Sequence, residues 1–301
     1  MQELSNEIQN YLRVCVDSKG LSPLTLKAYK IDFKQFACFM QGKDCLSKEC
    51  ILSYIDELHR QYMPKSAKRK VACIKAFYRY MEIEDIIEIN PFHKIKVKYK
   101  EAFVLPKIIP LPDVQNILRY AYQIYYNAQT DYQYESRLRN VIVLEFLFST
   151  GMRVSEVSNL KILDLNLRSN TIMIHGKGSK ERMSCILNND ISKLMKQYLS
   201  IRKHNSEYAF TNKLGNHYSD QSIRNMVNSY AQAAGVTLHI TPHMFRHTFA
   251  TALHDEDVSI RHVQELLGHS SIVTTQIYTH ISTNKIRTIL EEKHPRNNFQ
   301  L

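Results

Sequence analysis

No apolar run in this 301-residue chain approaches the length of a bilayer-spanning helix, and the opening MQELSNEIQNYLR is charged and polar where a secretory leader needs an apolar stretch. The protein is therefore expected to stay where it is made, in the cytoplasm, with no membrane partner. Six cysteines (Cys15, Cys38, Cys45, Cys50, Cys73 and Cys185) fall at irregular spacings without a Cys-x-x-Cys pair, which argues against a cysteine zinc site. They read as reduced, mostly core thiols. Internal repeats and low-complexity blocks are also missing. No carboxylate cluster suggests two-metal catalysis, and HGKGSKER has the wrong glycine spacing for a Walker phosphate loop, so no cofactor, metal or ATP is expected. Acidic residues are themselves scarce, 29 Asp and Glu against 40 Lys and Arg, for a net charge of +11.

That surplus predicts a polyanionic partner, and its distribution is informative: residues 1 to 105 carry +5 and residues 106 to 301 carry +6. Two basic halves suit a protein that grips duplex DNA from two sides. The first hundred residues read as a helical bundle. A helix over Leu4 to Val16 is followed by one capped by Ser22 with Pro23 at its first position, one opened by Ser47, and one opened by Pro64. In the last of these, KSAKRK sets Lys65, Lys68 and Arg69 on a common face, either a DNA-contacting surface or a solvated one. From Lys94 the sequence reads KIKVKYK; if extended, Lys94, Lys96, Lys98 and Lys100 project from one side at intervals of roughly 6.6 Å, a spacing that follows a phosphate backbone. The expected layout is a helical DNA-binding domain over 1–93, a basic extended linker over 94–110, and a second domain over 111–301.

In that second domain a helix starts at Pro112-Asp113, the tyrosine-rich stretch Tyr122 to Gln133 reads as loop or irregular helix, and NVIVLEFLF (140–148) is a buried helix. TIMIHGKGSKERMSCIL has the pattern of a β-hairpin, and helical periodicity resumes from Asn189. The fold class is mainly α with a small β-hairpin in the second domain.

Four segments carry chemistry. TGMRVSEV places Arg153 at the head of a helix, where the helix field suits phosphate, with Glu156 three residues on to hold it. TPHMFRHTFAT puts His243 and Arg246 at i and i+3 after a helix-starting Pro242. His239, His243 and His247 share zinc-like spacing, but Met244 stands where His-Glu-x-x-His needs glutamate, so His247 reads as a core residue instead. The hairpin supplies Lys177. LLGHSSIVTTQIYTHI supplies His269 and, nine residues later, Tyr278.

These motifs resemble those of the tyrosine recombinases, or phage-type integrases, and among them the compact Xer-like members; the resemblance runs nearly the whole chain. It implies an all-α core-binding domain followed by a mixed catalytic domain, with Arg153, Lys177, His243, Arg246 and His269 as an activating pentad and Tyr278 as nucleophile. It implies site-specific cutting and rejoining of double-stranded DNA through a 3′-phosphotyrosyl link, by free monomers that assemble as a tetramer on DNA. The tail from Ser282 to Leu301, with Ile286, Ile289 and Leu290 at helical spacing, then docks on a neighbour or packs on its own subunit. A type IB topoisomerase and a non-cleaving DNA-binding regulator are the alternatives.

Overall fold

The computed structural model describes residues 2–97, 99, 107–176, 181–186, 189–256, 258–268 and 290–299. The chain divides into two compact units, Met1–Val104 and Leu105–Leu301.

The first unit is built from α1 (Gln2–Asp17), α2 (Pro23–Phe39), α3 (Lys48–Gln61) and α4 (Pro64–Ile83). The helices start where the sequence supplies caps: Ser22 Oγ accepts the Thr25 N–H and Ser47 Oγ the Cys50 N–H, each at 3.3 Å. Inside, Tyr11, Phe33, Phe36, Phe77 and Tyr78 are buried, with Phe33 and Phe77 edge to face at 5.3 Å. Asp32 is fully buried on α2 and accepts from Arg69 Nη2 at 3.0 Å and Lys70 Nζ at 2.8 Å, both on α4. Arg69 is thus tied to α2 while Lys65 and Lys68 are exposed.

Lys94 does not belong to an extended run. It closes a short 3-10 helix, Pro91–Lys94, because Asn90 Oδ1 accepts the Phe92 N–H at 2.9 Å and the buried Phe92 and Ile95 pin the turn to the core. Extended backbone begins at Ile95, with Lys96 exposed; Lys98 and Lys100 lie outside the described residues.

The second unit opens with α5 (Leu111–Tyr126) and α6 (Asp131–Ser149). The loop expected over Tyr122 to Gln133 shrinks to residues 127–130. Helix wins because the phenols find partners within the fold: Tyr122 Oη donates to Glu145 at 2.9 Å and Tyr125 Oη to Tyr134 Oη at 3.1 Å, so these tyrosines pack like core residues. From Val141 to Phe148 every side chain of α6 is fully buried, making it the central post of the unit. Then come α7 (Val154–Ser158) and a three-stranded antiparallel sheet, β1 (Leu165–Asn166), β2 (Thr171–His175) and β3 (Glu181–Cys185), with His175 opposite Glu181 at the hairpin end. Helices α8 (Asn189–Ile201), α9 (Asp220–Ala233), α10 (Pro242–Asp255) and α11 (Ile260–Leu267) follow. The periodicity expected from Asn189 onward is interrupted between α8 and α9, where bridges at Lys161–Tyr208 and Thr211–His217 hold irregular chain.

Residues 290–299 pack on their own subunit. Leu290 is fully buried in a cluster with Phe249, Leu253 and Leu267, and Phe299 stacks on Phe148 at 5.4 Å. In the single chain Leu290 thus packs on its own subunit, one of the two expectations for the tail; Ile286 and Ile289 lie outside the described residues. Of the six cysteines, none in a disulfide, only Cys15, Cys73 and Cys185 are buried, and Cys38 is exposed, so the thiols are less uniformly core than expected. Among the described residues no helix is long and apolar enough to cross a membrane.

Candidate active site

The site is organised around a turn that only glycine fits. After α6 the chain reverses through Gly151 at φ 60°, and a Cβ there would sit 2.6 Å from Phe249 Cδ1 and 2.7 Å from Leu267 Cδ2. Arg153 then takes the N-cap of α7. Glu156, at the third helical position, reaches back to the Arg153 N–H at 2.8 Å and accepts from its Nη1 at 2.7 Å. A guanidinium accepts nothing, so only the glutamate half of a capping box forms and the arginine fork is left to project. The Arg153 side chain is 34% exposed, enough to meet a ligand.

On α10 the two motif residues part company. Arg246 is buried, donating from Nη1 to the Gly151 carbonyl and from Nη2 to the Leu267 carbonyl, each at 2.6 Å. One guanidinium thereby ties the Gly151 turn to the end of α11. Burial, with Arg153 and Arg182 close by and Glu156 only partly offsetting them, pushes the Arg246 pKa down to about 9, so it stays charged at neutral pH. His243 is exposed on the same helix. Partial shielding of its ring, and then the charges of Arg224, His247, Arg246 and Arg153, lower its pKa, leaving a neutral imidazole at pH 7. His247 is exposed too, not core: four residues from His243 it shares that outward face, while Met244, Phe245, Thr248 and Phe249 take the inward one. Among the described residues no group of His, Cys, Asp or Glu forms a metal site.

A residue the motifs do not single out joins these parts. Arg182, on β3, donates from Nη1 and Nη2 to Glu156 Oε1 and Oε2 at 2.9 and 2.7 Å, and from Nε to the Leu266 carbonyl at 3.1 Å. It stands inside GKGSKER, but its partners are 26 and 84 residues away, so nothing local marks it. Burial would raise the Glu156 pKa, yet hydrogen bonds and charge from Arg182, then Arg153, hold it below the usual carboxylate value. Three guanidiniums around one carboxylate leave a surplus of two positive charges.

Arg153, Glu156 and Arg246 are thus brought together, with His243 close enough to feel both arginines. Lys177, His269 and Tyr278 lie outside the described residues. What is described is a cationic cluster with a neutral imidazole beside it, able to hold an anion and take up a proton.

Comparison with known proteins identifies the family. The Phage integrase family model matches residues 120–285, and the Phage integrase, N-terminal SAM-like domain matches residues 8–85. A tyrosine recombinase of Agathobacter rectalis is 45% identical over 99% of both chains, and the tyrosine recombinase XerC of Oceanobacillus iheyensis is 33% identical over 99% of both. In fold the chain is similar to the XerH site-specific recombinase in a post-cleavage complex with palindromic difH substrate, at TM-score 0.70 and 21% identity over 98% of this chain and 85% of that one. It is also similar to a lambda integrase dimer bound to a core site, at TM-score 0.68 and 15% identity over 91% and 99%. With one family model covering more than half its length and a close relative matched end to end, the chain belongs to the phage integrase family of tyrosine recombinases.

Proposed function

We propose that this recombinase cuts and rejoins DNA at specific sites through a covalent 3′-phosphotyrosyl intermediate, with Tyr278 as nucleophile and Arg153, Lys177, His243, Arg246 and His269 activating the scissile phosphate. The observation that carries the reading is the convergence of Arg153 and Arg246 in one cluster with a surplus of positive charge. The phenol oxygen of Tyr278 attacks phosphorus as its proton passes to His243, neutral at pH 7 and so able to accept it. Charge gathering on the non-bridging oxygens is met by the Arg153 and Arg246 forks and by His269. The bond from phosphorus to the 5′ oxygen breaks, and Lys177 protonates that oxygen as it leaves. The phosphotyrosyl ester keeps the bond energy, so a 5′ hydroxyl reverses the steps and reseals the strand.

Lys65, Lys68 and Arg69, with Lys94, Lys96, Lys98 and Lys100, supply backbone contacts that set register on the duplex. Work proceeds in the cytoplasm, with DNA as partner, and by likeness to a lambda integrase tetramer bound to a Holliday junction, four copies assemble around the exchanging strands. The test is a nicked suicide duplex carrying the cognate site. Wild-type protein becomes covalently joined to the DNA; Tyr278→Phe binds equally well and gives no adduct. An adduct with Y278F overturns the nucleophile, and plasmid relaxation without any site points instead to a topoisomerase.

A further inference from the structure

We propose that Arg182 is a positioning residue for strand cleavage: by fixing the plane of the Glu156 carboxylate it keeps the Arg153 fork aimed at the scissile phosphate. The inference rests on the role proposed for Arg153.

All three nitrogens of the Arg182 guanidinium donate within the protein, and its side chain is 11% exposed. Its side-chain hydrogen bonds go to components of the site. The two Glu156 oxygens are shared evenly: Oε1 accepts from Arg153 Nη1 and Arg182 Nη1, Oε2 from the Arg153 N–H and Arg182 Nη2. A carboxylate opposite a guanidinium prefers the two-pronged pairing, and Arg182 occupies that pairing. Arg153 is therefore left with a single-pronged side-chain contact, steadied but not captured. Without Arg182 the glutamate can turn and chelate Arg153 with both oxygens, drawing the fork away from substrate.

The same side chain also bears on the end of α11. Its Nε holds the Leu266 carbonyl, and its Cδ lies 3.0 Å from where a Cβ on Gly268 would stand, at a residue with φ 63°. Arg182 thus links β3, the head of α7 and the last turn of α11. A lysine could reach one of these partners; only the planar fork reaches both the Glu156 carboxylate and the Leu266 carbonyl.

The experiment compares Arg182→Lys, Arg182→Ala, Arg153→Ala and the R153A/R182K double variant for duplex binding, melting temperature and single-turnover adduct formation on the suicide duplex. R182K and R182A should bind DNA within about twofold of wild type and cleave about 100-fold more slowly, the penalty that a misplaced group brings. Adding R182K to R153A should cost nothing further, since both act through one fork. Glu156→Gln in the R182A background should recover part of the rate, because a neutral amide grips Arg153 less. Should R182A melt below the assay temperature, R182K, which keeps the charge, carries the comparison. Wild-type cleavage by R182K, or losses that multiply in the double variant, overturns the positioning role alone. Wild-type cleavage by R153A removes the role given to Arg153, and this one with it.

Discussion

His243 shows how much of the chemistry is set by neighbours rather than by residue type. Shielding, and then the surrounding cations, lower its pKa below that of a free histidine, which suits it to the base role proposed for it. The second-order rate of adduct formation, which reports the free enzyme, should therefore show an acid limb whose midpoint lies under the ordinary histidine value. His243→Ala should lower the plateau by about 10²- to 10⁴-fold and abolish that limb. A midpoint above 6.5 would mean that the imidazole rests protonated and serves as a donor. At this scale motif spacing makes Arg153, Glu156, His243 and Arg246 legible. Arg182 is not, because its meaning lies in partners far along the chain. His247 departs from its expected core position for a simpler reason: its spacing from His243 already sets both on one side of α10, and a solvent-facing His243 takes His247 with it.

Among elements, the helices announced by a serine cap or a leading proline are readable from sequence, since a cap acts within three residues of its own position. The α5–α6 junction and β1 are not: tyrosines carry no clear inside or outside until their hydroxyls find partners, and two residues leave no periodicity to read. The C-terminal segment belongs to the same class. His294, buried, donates from Nε2 to the Ser149 carbonyl and accepts the Arg296 N–H at Nδ1, each at 2.9 Å, so both ring nitrogens are satisfied only in the neutral form. Burial, reinforced by Arg296 and partly opposed by the Ser149 carbonyl, takes its pKa down to about 4. An unfolded histidine binds its proton near pH 6.5, so stability is whole above that value and drains away as pH falls toward 4, by at most about 3 kcal/mol. Urea unfolding at pH 7 and pH 4.5 should show a drop in wild type that is smaller in His294→Gln, whose amide keeps a donor and an acceptor. Equal drops in both proteins would remove His294 from the account.

For the molecule as a whole, the even division of positive charge between the halves is the property composition reveals most directly. Replacing Lys65 or Lys68 by alanine should weaken binding alike on cognate and random duplexes and flatten the plot of log affinity against log salt by about one unit for each phosphate no longer neutralised, with cleavage of bound DNA unchanged. A slope that stays fixed would place those lysines in solvent. Arg69 is unsuited to that measurement, since its removal would strip a partner from the fully buried Asp32 and unsettle α2 against α4. The guanidiniums of Arg153, Arg182 and Arg246 crowd a single glutamate, and mutual repulsion is the resting condition of that corner. A phosphodiester seated as proposed would relieve it, so substrate would steady the very scaffold that receives it.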